Sequence, residues 1–171
     1  MKDQEDKLAI KIMWQDEYPL SHERLVEILK EFGDLFPDPL QRRVDLYNYA
    51  KKLLKFADLQ VALINQEIVG FLAVYANNMQ THVAHIPLIA ILKRYQRIGI
   101  GKVMLSRTIA LARQRTMKRI WLSVMKENSA AIQFYHSIRF VIRSEKGQKY
   151  SMERDLSVEE RLINPQVTPV D

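Results

Sequence analysis

The stretch from Gln96 to Gly101 combines two glycines with a predicted change from strand to helix. It reads Gln-Arg-Ile-Gly-Ile-Gly and lies between an apolar run, 86–92, and a helical run, 102–115. The first amides of a helix have no partner within it, and the helix dipole is positive at that end. Such a turn can bind a phosphate or pyrophosphate. A tight strand-to-helix connection without a ligand would use the same two glycines.

A second segment, residues 128–140, follows downstream and reads Asn-Ser-Ala-Ala-Ile-Gln-Phe-Tyr-His-Ser-Ile-Arg-Phe. Asn128 is a good N-cap residue for a short helix over 129–137.

Together the two segments resemble the acetyl-CoA signature of the GNAT acyltransferase superfamily. The first part of that signature, Gln/Arg-x-x-Gly-x-Gly/Ala, is matched by Gln96, Gly99 and Gly101. The second part, Asn-x-x-Ala-x-x-Phe-Tyr-x-x-x-Gly-Phe, is matched by Asn128, Ala131, Phe134, Tyr135 and Phe140. Arg139 stands where the family usually has glycine. The resemblance extends over about residues 59–156.

The resemblance implies acetyl-CoA as cosubstrate. His82 and His85 lie in a predicted strand without a third ligand, so we expect no metal. The resemblance places the pyrophosphate on the backbone amides of Gln96, Arg97, Ile98, Gly99, Ile100, Gly101 and Lys102. Arg97 and Lys102 add positive charge there, unless both simply face solvent. Ala90 and Ile91 fall where family backbone groups pair with the amides of the pantetheine arm, and Asn128 bonds that arm as well as capping its helix.

Acetyl transfer from a thioester to an amine needs a neutral amine, donors for the oxyanion and a proton for the departing thiolate. The resemblance makes Tyr135 the acid, because many family members place a tyrosine near the cofactor sulfur at this position. A packed aromatic residue on a short helix is the alternative. The base is open: Pro87 occupies about the place of the usual family carboxylate. His85 lies two residues earlier and titrates in the useful range if unperturbed. It could instead be an ordinary half-buried histidine, with a water chain or a free amine taking its place.

Hydrophobic spacing and turn residues predict the order strand, two helices, three strands, helix, strand, helix, two strands. The strands are predicted at 8–14, 59–64, 68–75, 81–92, 120–124, 140–143 and 150–153. Ser21 should cap the first helix, and a second helix should run from a cap at Asp38 to about Phe56. This order predicts an α/β (α+β) fold. It is similar to the GNAT fold, a mixed, mostly antiparallel sheet with helices on both faces. Its central strands should splay apart near Leu92 and Ser123, and the gap should take the pantetheine arm. We expect a domain over 1–156 and a loosely ordered tail over 157–171.

The composition narrows the class of protein. The 171 residues are 47% hydrophobic and carry a net charge of +6. The basic residues are spread out in short pairs, which favours a solvated surface and a polyanionic cofactor over nucleic acid. The chain has no cysteine, so disulfides and thiolate nucleophiles are excluded. Its charged N-terminus is unlike a signal peptide, and no run is long enough to cross a bilayer. We expect a cytoplasmic protein that does not bind a membrane.

The sequence predicts an N-acetyltransferase for a small primary amine, such as an amino sugar, a polyamine, an amino acid or an antibiotic. The acceptor should lie between the two N-terminal helices and the splayed strands. Two alternatives stay open: a protein or peptide N-acetyltransferase, and a non-catalytic acyl-CoA-binding regulatory domain. The apolar late strands also favour a homodimer.

Overall fold

A computed structural model describes residues 9–157 of the chain. The predicted tail therefore lies outside the described residues, apart from Ser157. The elements are β1 Ile10–Trp14, α1 His22–Gly33, α2 Leu40–Arg43, α3 Leu46–Phe56, β2 Asp58–Ile64, β3 Glu67–Tyr75, β4 Val83–Ile91, α4 Ile100–Gln114, β5 Arg119–Met125, α5 Ser129–Ser137, β6 Val141–Lys146 and β7 Lys149–Asp155, with a short 3₁₀ turn at Lys93–Tyr95.

The seven strands form one sheet in the order β1-β2-β3-β4-β5-β7-β6. Every neighbouring pair is antiparallel except β4 and β5, which are parallel. Helices α1 to α3 pack on one face of the sheet, where Leu25 of α1 and Leu53 of α3 belong to the same buried cluster as Phe71 of β3. Helices α4 and α5 pack on the other face through Met104 and Tyr135. The predicted mixed, mostly antiparallel sheet with helices on both faces is confirmed.

The prediction of a single second helix is wrong, because this segment folds as two helices, α2 and α3. Val44 is extended, with φ −143° and ψ 151°, and ends α2. Asp45 then caps α3, its carboxylate accepting a hydrogen bond from the Asn48 amide at 2.8 Å. Asp38 is not the predicted cap, since Pro39 holds the N-cap position without a side-chain bond. A short polar side chain that bonds nearby backbone favours a new helix start over helix continuation. Ser21 caps α1 as predicted.

Strands β4 and β5 part inside the sheet. They pair from Val83 and Arg119 only as far as Ile86 and Leu122, although each strand continues beyond that point. The predicted divergence at Ser123 is confirmed, but β4 leaves its partner well before the predicted Leu92. Pro87 follows the last pair and has no N–H with which to continue the ladder.

A bulge in β4 coincides with this parting. From Leu88 to His85 the strand spans one residue more than its partner β3 does from Ala73 to Tyr75. A bulge of this kind bends the strand that carries the extra residue. Pro87 and the bulge together turn β4 away from β5.

The end of α5 shows why Arg139 departs from the resembled pattern. The amide of Phe140 donates to the carbonyl of Tyr135 at 2.9 Å, which closes the helix in a Schellman-type turn. Arg139 occupies the left-handed position of that turn, with φ 67°. A residue with a side chain costs about 1–2 kcal/mol in the left-handed region of backbone conformation. This cost explains why the family pattern has glycine at the position of Arg139.

Arg139→Gly should therefore stabilise the protein by up to about 1 kcal/mol, because relief of the strain exceeds the added entropy of the unfolded chain. For a chain of this size the melting temperature should rise by roughly 2–4 °C. Thermal unfolding followed by circular dichroism would measure it. Arg143→Gly, in the middle of β6, is the matched control and should lower the melting temperature. A fall in both variants would contradict the strain argument.

Candidate active site

The turn before α4 contains backbone amides that have no hydrogen-bond partner among residues 9–157. Arg97 and Gly99 both adopt left-handed conformations, with φ 67° and 93°. Gly99 is the N-cap of α4 and supplies no side-chain cap, and the first helical bond runs from Val103 to the Gly99 carbonyl at 3.2 Å. The amides of Ile100, Gly101 and Lys102 are therefore the unpaired amides of the helix start. They meet the positive end of the helix dipole, which favours an anion.

The remaining predicted residues of the turn lie around these amides. Gln96 donates a side-chain hydrogen bond to the Ile91 carbonyl at 2.8 Å, which ties the turn to the end of β4. Arg97, Ile98 and Lys102 are exposed at the same end of α4. Exposure leaves both cations able to reach an anion at this turn, and the predicted roles of Arg97 and Lys102 stay predictions.

The two glycines serve different purposes. A Cβ at Gly99 would meet no atom within 4 Å, so this glycine is required by its positive φ alone. A Cβ at Gly101 would lie 3.2 Å from the side chains of Ile91 and Phe134. Gly101 thus lets α4 approach β4 and α5 closely. It brings the turn before α4, the open edge of β4 and the second motif to one place.

The edge of β4 that faces the gap presents backbone hydrogen-bonding groups, of which the Ile91 carbonyl already accepts a hydrogen bond from the side chain of Gln96. Leu92 donates to Val69 of β3 at 2.9 Å, so alternate residues of β4, including Ala90, also bond toward β3. The backbone groups of Ile89 and Ile91 consequently point toward the gap. The predicted Ala90 has its backbone groups in the ladder with β3, whereas the predicted Ile91 lies at the open edge. Ile89 was missed, although strand alternation from Ile91 would have found it.

The second motif folds as predicted. The side chain of Asn128 caps α5 by accepting a hydrogen bond from the Ala131 amide at 3.1 Å. Tyr135 is buried between Phe134 and Phe140, with ring centroids 5.4 and 6.0 Å away. Burial raises the pKa of Tyr135 to about 12, so its hydroxyl keeps its proton at neutral pH.

His85 lies on the face of the sheet opposite Tyr135. Its neighbour Ile86 packs in the α4–α5 core, so His85 points to the side of α1 to α3. The imidazole stacks on the Trp121 ring with centroids 3.9 Å apart and planes at 11°. Burial, helped by the charge of Lys52, lowers the pKa of His85 to about 4. The pKa of His85 therefore lies below the range of an unperturbed imidazole.

An open cavity of about 450 Å³ adjoins His85. Its walls include Tyr75, Asn77, Thr81, His85, Arg119 and Trp121. A second, closed pocket where α1 and α2 meet β4 is lined by Phe32, Leu40 and Leu88 and leaves no room for a water molecule. Sequence reasoning missed Trp121 and Arg119, because only the parallel pairing of β4 with β5 sets them beside His85.

Two negative findings apply to residues 9–157, the part of the chain that the structure describes. No cluster of three or more histidine, cysteine or acidic side chains there is suited to hold a metal ion. None of the helices in that range combines the length and apolar character needed to cross a bilayer.

The chain matches the family described as the Acetyltransferase (GNAT) family over residues 22–140. Its fold is similar to that of the PaiA N-acetyltransferase from Thermoplasma acidophilum in complex with coenzyme A, at 18% identity and TM-score 0.66, covering 86% of this chain and 99% of that one. A GNAT acetyltransferase from Staphylococcus aureus Mu50 matches at 20% identity and TM-score 0.71, with coverage of 86% and 99%. A GNAT acetyltransferase from Elizabethkingia anophelis with acetyl-CoA bound matches at 16% identity and TM-score 0.61, with coverage of 85% and 97%. At these identities the structures establish the shared fold.

The depressed pKa of His85 predicts how stability depends on pH. Between pH 6.5 and about 4 the unfolded chain binds a proton at this residue and the folded chain does not. The free energy of unfolding should therefore fall as the pH drops through this window. NMR titration should give one of the four histidines a pKa well below the others, and His85→Gln should remove that signal. Urea titrations should show a smaller loss of stability in His85→Gln; an unchanged loss would contradict the assignment.

Proposed function

The chain belongs to the Acetyltransferase (GNAT) family, and we propose that it transfers an acetyl group from acetyl-CoA directly to the primary amine of a small molecule. The observation that carries the proposal is the junction at Gly101. There an uncapped helix start, which suits a pyrophosphate, meets an open strand edge, which suits an amide-bearing chain. Acetyl-CoA has both groups in sequence along its length.

The cofactor's arm would lie in the gap between β4 and β5. The backbone groups of Ile89 and the amide of Ile91 would pair with its two amides in the manner of an added strand. Asn128, at the start of α5, would bond the same arm in addition to its cap. The amides of residues 100–102 would hold the pyrophosphate, with Arg97 and Lys102 adding charge.

The transfer needs no covalent enzyme intermediate. The amine nitrogen attacks the thioester carbonyl carbon, a C–N bond forms, the C–S bond breaks and the nitrogen gives a proton to water. We assign Tyr135 to donate its proton to the departing sulfur, since its high pKa keeps that proton in place at neutral pH. The transferred proton is then restored from water.

His85 is a weak base at a pKa of about 4, but it stays neutral at the pH where an amine can react. We assign it to accept a hydrogen bond from the incoming amine, directly or through water. The amine then reaches the site in its free-base form, or loses its proton to solvent. Activity should accordingly rise with pH as the acceptor amine deprotonates.

Gly99→Val tests the pyrophosphate site. The valine has space, so the change acts through backbone strain of about 1–2 kcal/mol in the left-handed turn. Affinity for acetyl-CoA, measured by calorimetry, should fall about tenfold, which corresponds to about 1.4 kcal/mol. Gly147→Val is the matched control, because Gly147 also has a positive φ of 55° and open space around a Cβ. It should lower stability but keep the affinity. Equal affinities in both variants would contradict the site.

Release of free thiol from acetyl-CoA in the presence of small amines, peptides or no acceptor tests the reaction. We expect amine-dependent release and an acetylated product by mass spectrometry. Tyr135→Phe keeps the ring and its packing, so acetyl-CoA affinity should survive while turnover falls by roughly a hundredfold. Release with peptides alone would favour a protein acetyltransferase, and binding without release would favour a regulatory domain. Undiminished turnover in Tyr135→Phe, with chemistry rate-limiting, would leave Tyr135 a packing residue.

A further inference from the structure

We propose that the cavity beside His85 binds the acceptor and selects a primary amine that carries an anionic group at the far end of a ring-containing body. This inference rests on the proposed function and narrows its substrate class. Four features support it: the position of the cavity beside the gap, the charges around it, its aromatic wall, and the distance along β5 from Arg119 to the gap.

The cavity borders the gap from the side opposite the cofactor's anion site. Its floor is formed by Val83 and His85 of β4 and by Arg119 and Trp121 of β5. The next pair of residues, Ile86 and Leu122, is the last before the strands part. Helix α4 packs on the other face of the sheet. An amine in the cavity would therefore meet a thioester in the gap from the opposite side.

The charges around the cavity disfavour a polycation. Arg119 is the charged residue among its walls, and Lys52 is near enough to affect His85. The neighbouring acids belong to β7, one strand farther away. There Glu153 is shared between Arg119 at 3.4 Å and Arg143 at 3.6 Å. Asp155, the cross-strand partner of Arg119, accepts hydrogen bonds from Ser157 and interacts electrostatically with both arginines.

Arg119 can still bind a ligand. Its side chain is 51% exposed, and within residues 9–157 it makes one hydrogen bond, to Glu153, which is long at 3.4 Å. A guanidinium has five N–H donors and suits carboxylate or phosphate. An anionic group is therefore the natural partner for the free donors of Arg119.

An aromatic wall adjoins this cation. The rings of Tyr75, His85 and Trp121 stand nearly parallel across β3, β4 and β5, with planes 26° and 11° apart. The Tyr75 hydroxyl is buried and has no hydrogen-bond partner among the described residues. Buried polar atoms are normally paired, so a ligand with an apolar ring and a polar substituent fits this wall.

The length of the acceptor follows from strand geometry. Arg119 precedes Leu122 by three positions on β5, which is about 10 Å at the rise of a strand. With the Arg119 backbone this far from the start of the gap, we expect the anion and the amine to lie at opposite ends of the acceptor. An α-amino acid, whose amine and carboxylate share one carbon, is too short to span this distance.

Five amines test the preference by steady-state kinetics. 4-(2-Aminoethyl)benzoate and tyramine O-phosphate carry a distal carboxylate or phosphate, 2-phenylethylamine has none, phenylalanine has a proximal carboxylate, and spermidine is a polycation. We expect kcat/KM for at least one distal anion to exceed that of 2-phenylethylamine about tenfold, with spermidine and phenylalanine poorest. Arg119→Gln should abolish the ratio. Arg143→Gln, which removes the other partner of Glu153 outside the cavity, should preserve it.

A binding measurement separates this inference from the proposed function. 4-Ethylbenzoate lacks the amine, so its binding does not depend on turnover. In the protein saturated with coenzyme A, it should shift the indole N–H signal of Trp121 and leave that of Trp14 in place, and Arg119→Gln should remove the shift. A shift without turnover of any amine would uphold the anion site and overturn the proposed function. Turnover with spermidine preferred, a ratio unchanged in Arg119→Gln, or no shift of Trp121 would overturn the inference.

Discussion

The parting of β4 from β5 is the constraint on which the rest of the site depends. A sheet normally pairs the backbone groups of neighbouring strands along their length, because unpaired buried amides are costly. Here the pairing stops after Ile86 and Leu122, where Pro87 has no amide to donate and β4 carries a bulge. The strand edge beyond that point keeps its hydrogen-bonding capacity for another chain-like molecule. An unbroken parallel pair would leave no place for the arm of a cofactor.

Close packing at Gly101 fixes the other elements relative to this gap. Its missing side chain lets Ile91 of β4 and Phe134 of α5 meet the first turn of α4. The helix start that suits a pyrophosphate therefore sits at the end of the same strand whose edge is open. Phe134 also precedes Tyr135, so the contact that positions the anion site positions the proposed proton donor. Packing and chemistry depend on the same few atoms.

In the proposed reaction, the two faces of the sheet contribute different groups. The α4–α5 face holds the cofactor elements and a buried tyrosine that keeps its proton. The opposite face offers a cavity with aromatic walls, a neutral histidine and an arginine. Burial drives both pKa shifts, raising that of Tyr135 and lowering that of His85, because it disfavours the charged form of each. The site thus holds both groups neutral at the pH where an amine attacks.

Local sequence was enough for the features that depend on neighbouring residues. The caps at Ser21 and Asn128, the glycine turn before α4, the helix of the second motif and the order of the strands follow from short-range hydrogen bonding and side-chain periodicity. The split between α2 and α3 could also have been found, because Asp45 is an ordinary capping residue within a helical pattern. The sequence indicates the left-handed conformation of Arg139 only through the family pattern, which has glycine at this position.

The tertiary structure decided what depends on residues distant in the chain. The neighbours of His85 are Tyr75 and Trp121, 10 and 36 positions away in the sequence, and they meet it only because β3, β4 and β5 lie side by side. The resulting burial moves the pKa of His85 out of the range expected for a free imidazole. Side-chain packing likewise closes the space where α1 and α2 meet β4 and leaves the cavity beside Arg119 open. Residue types set which chemistry is available, whereas burial and cross-strand pairing, which no local pattern encodes, decide which groups meet and in which protonation state.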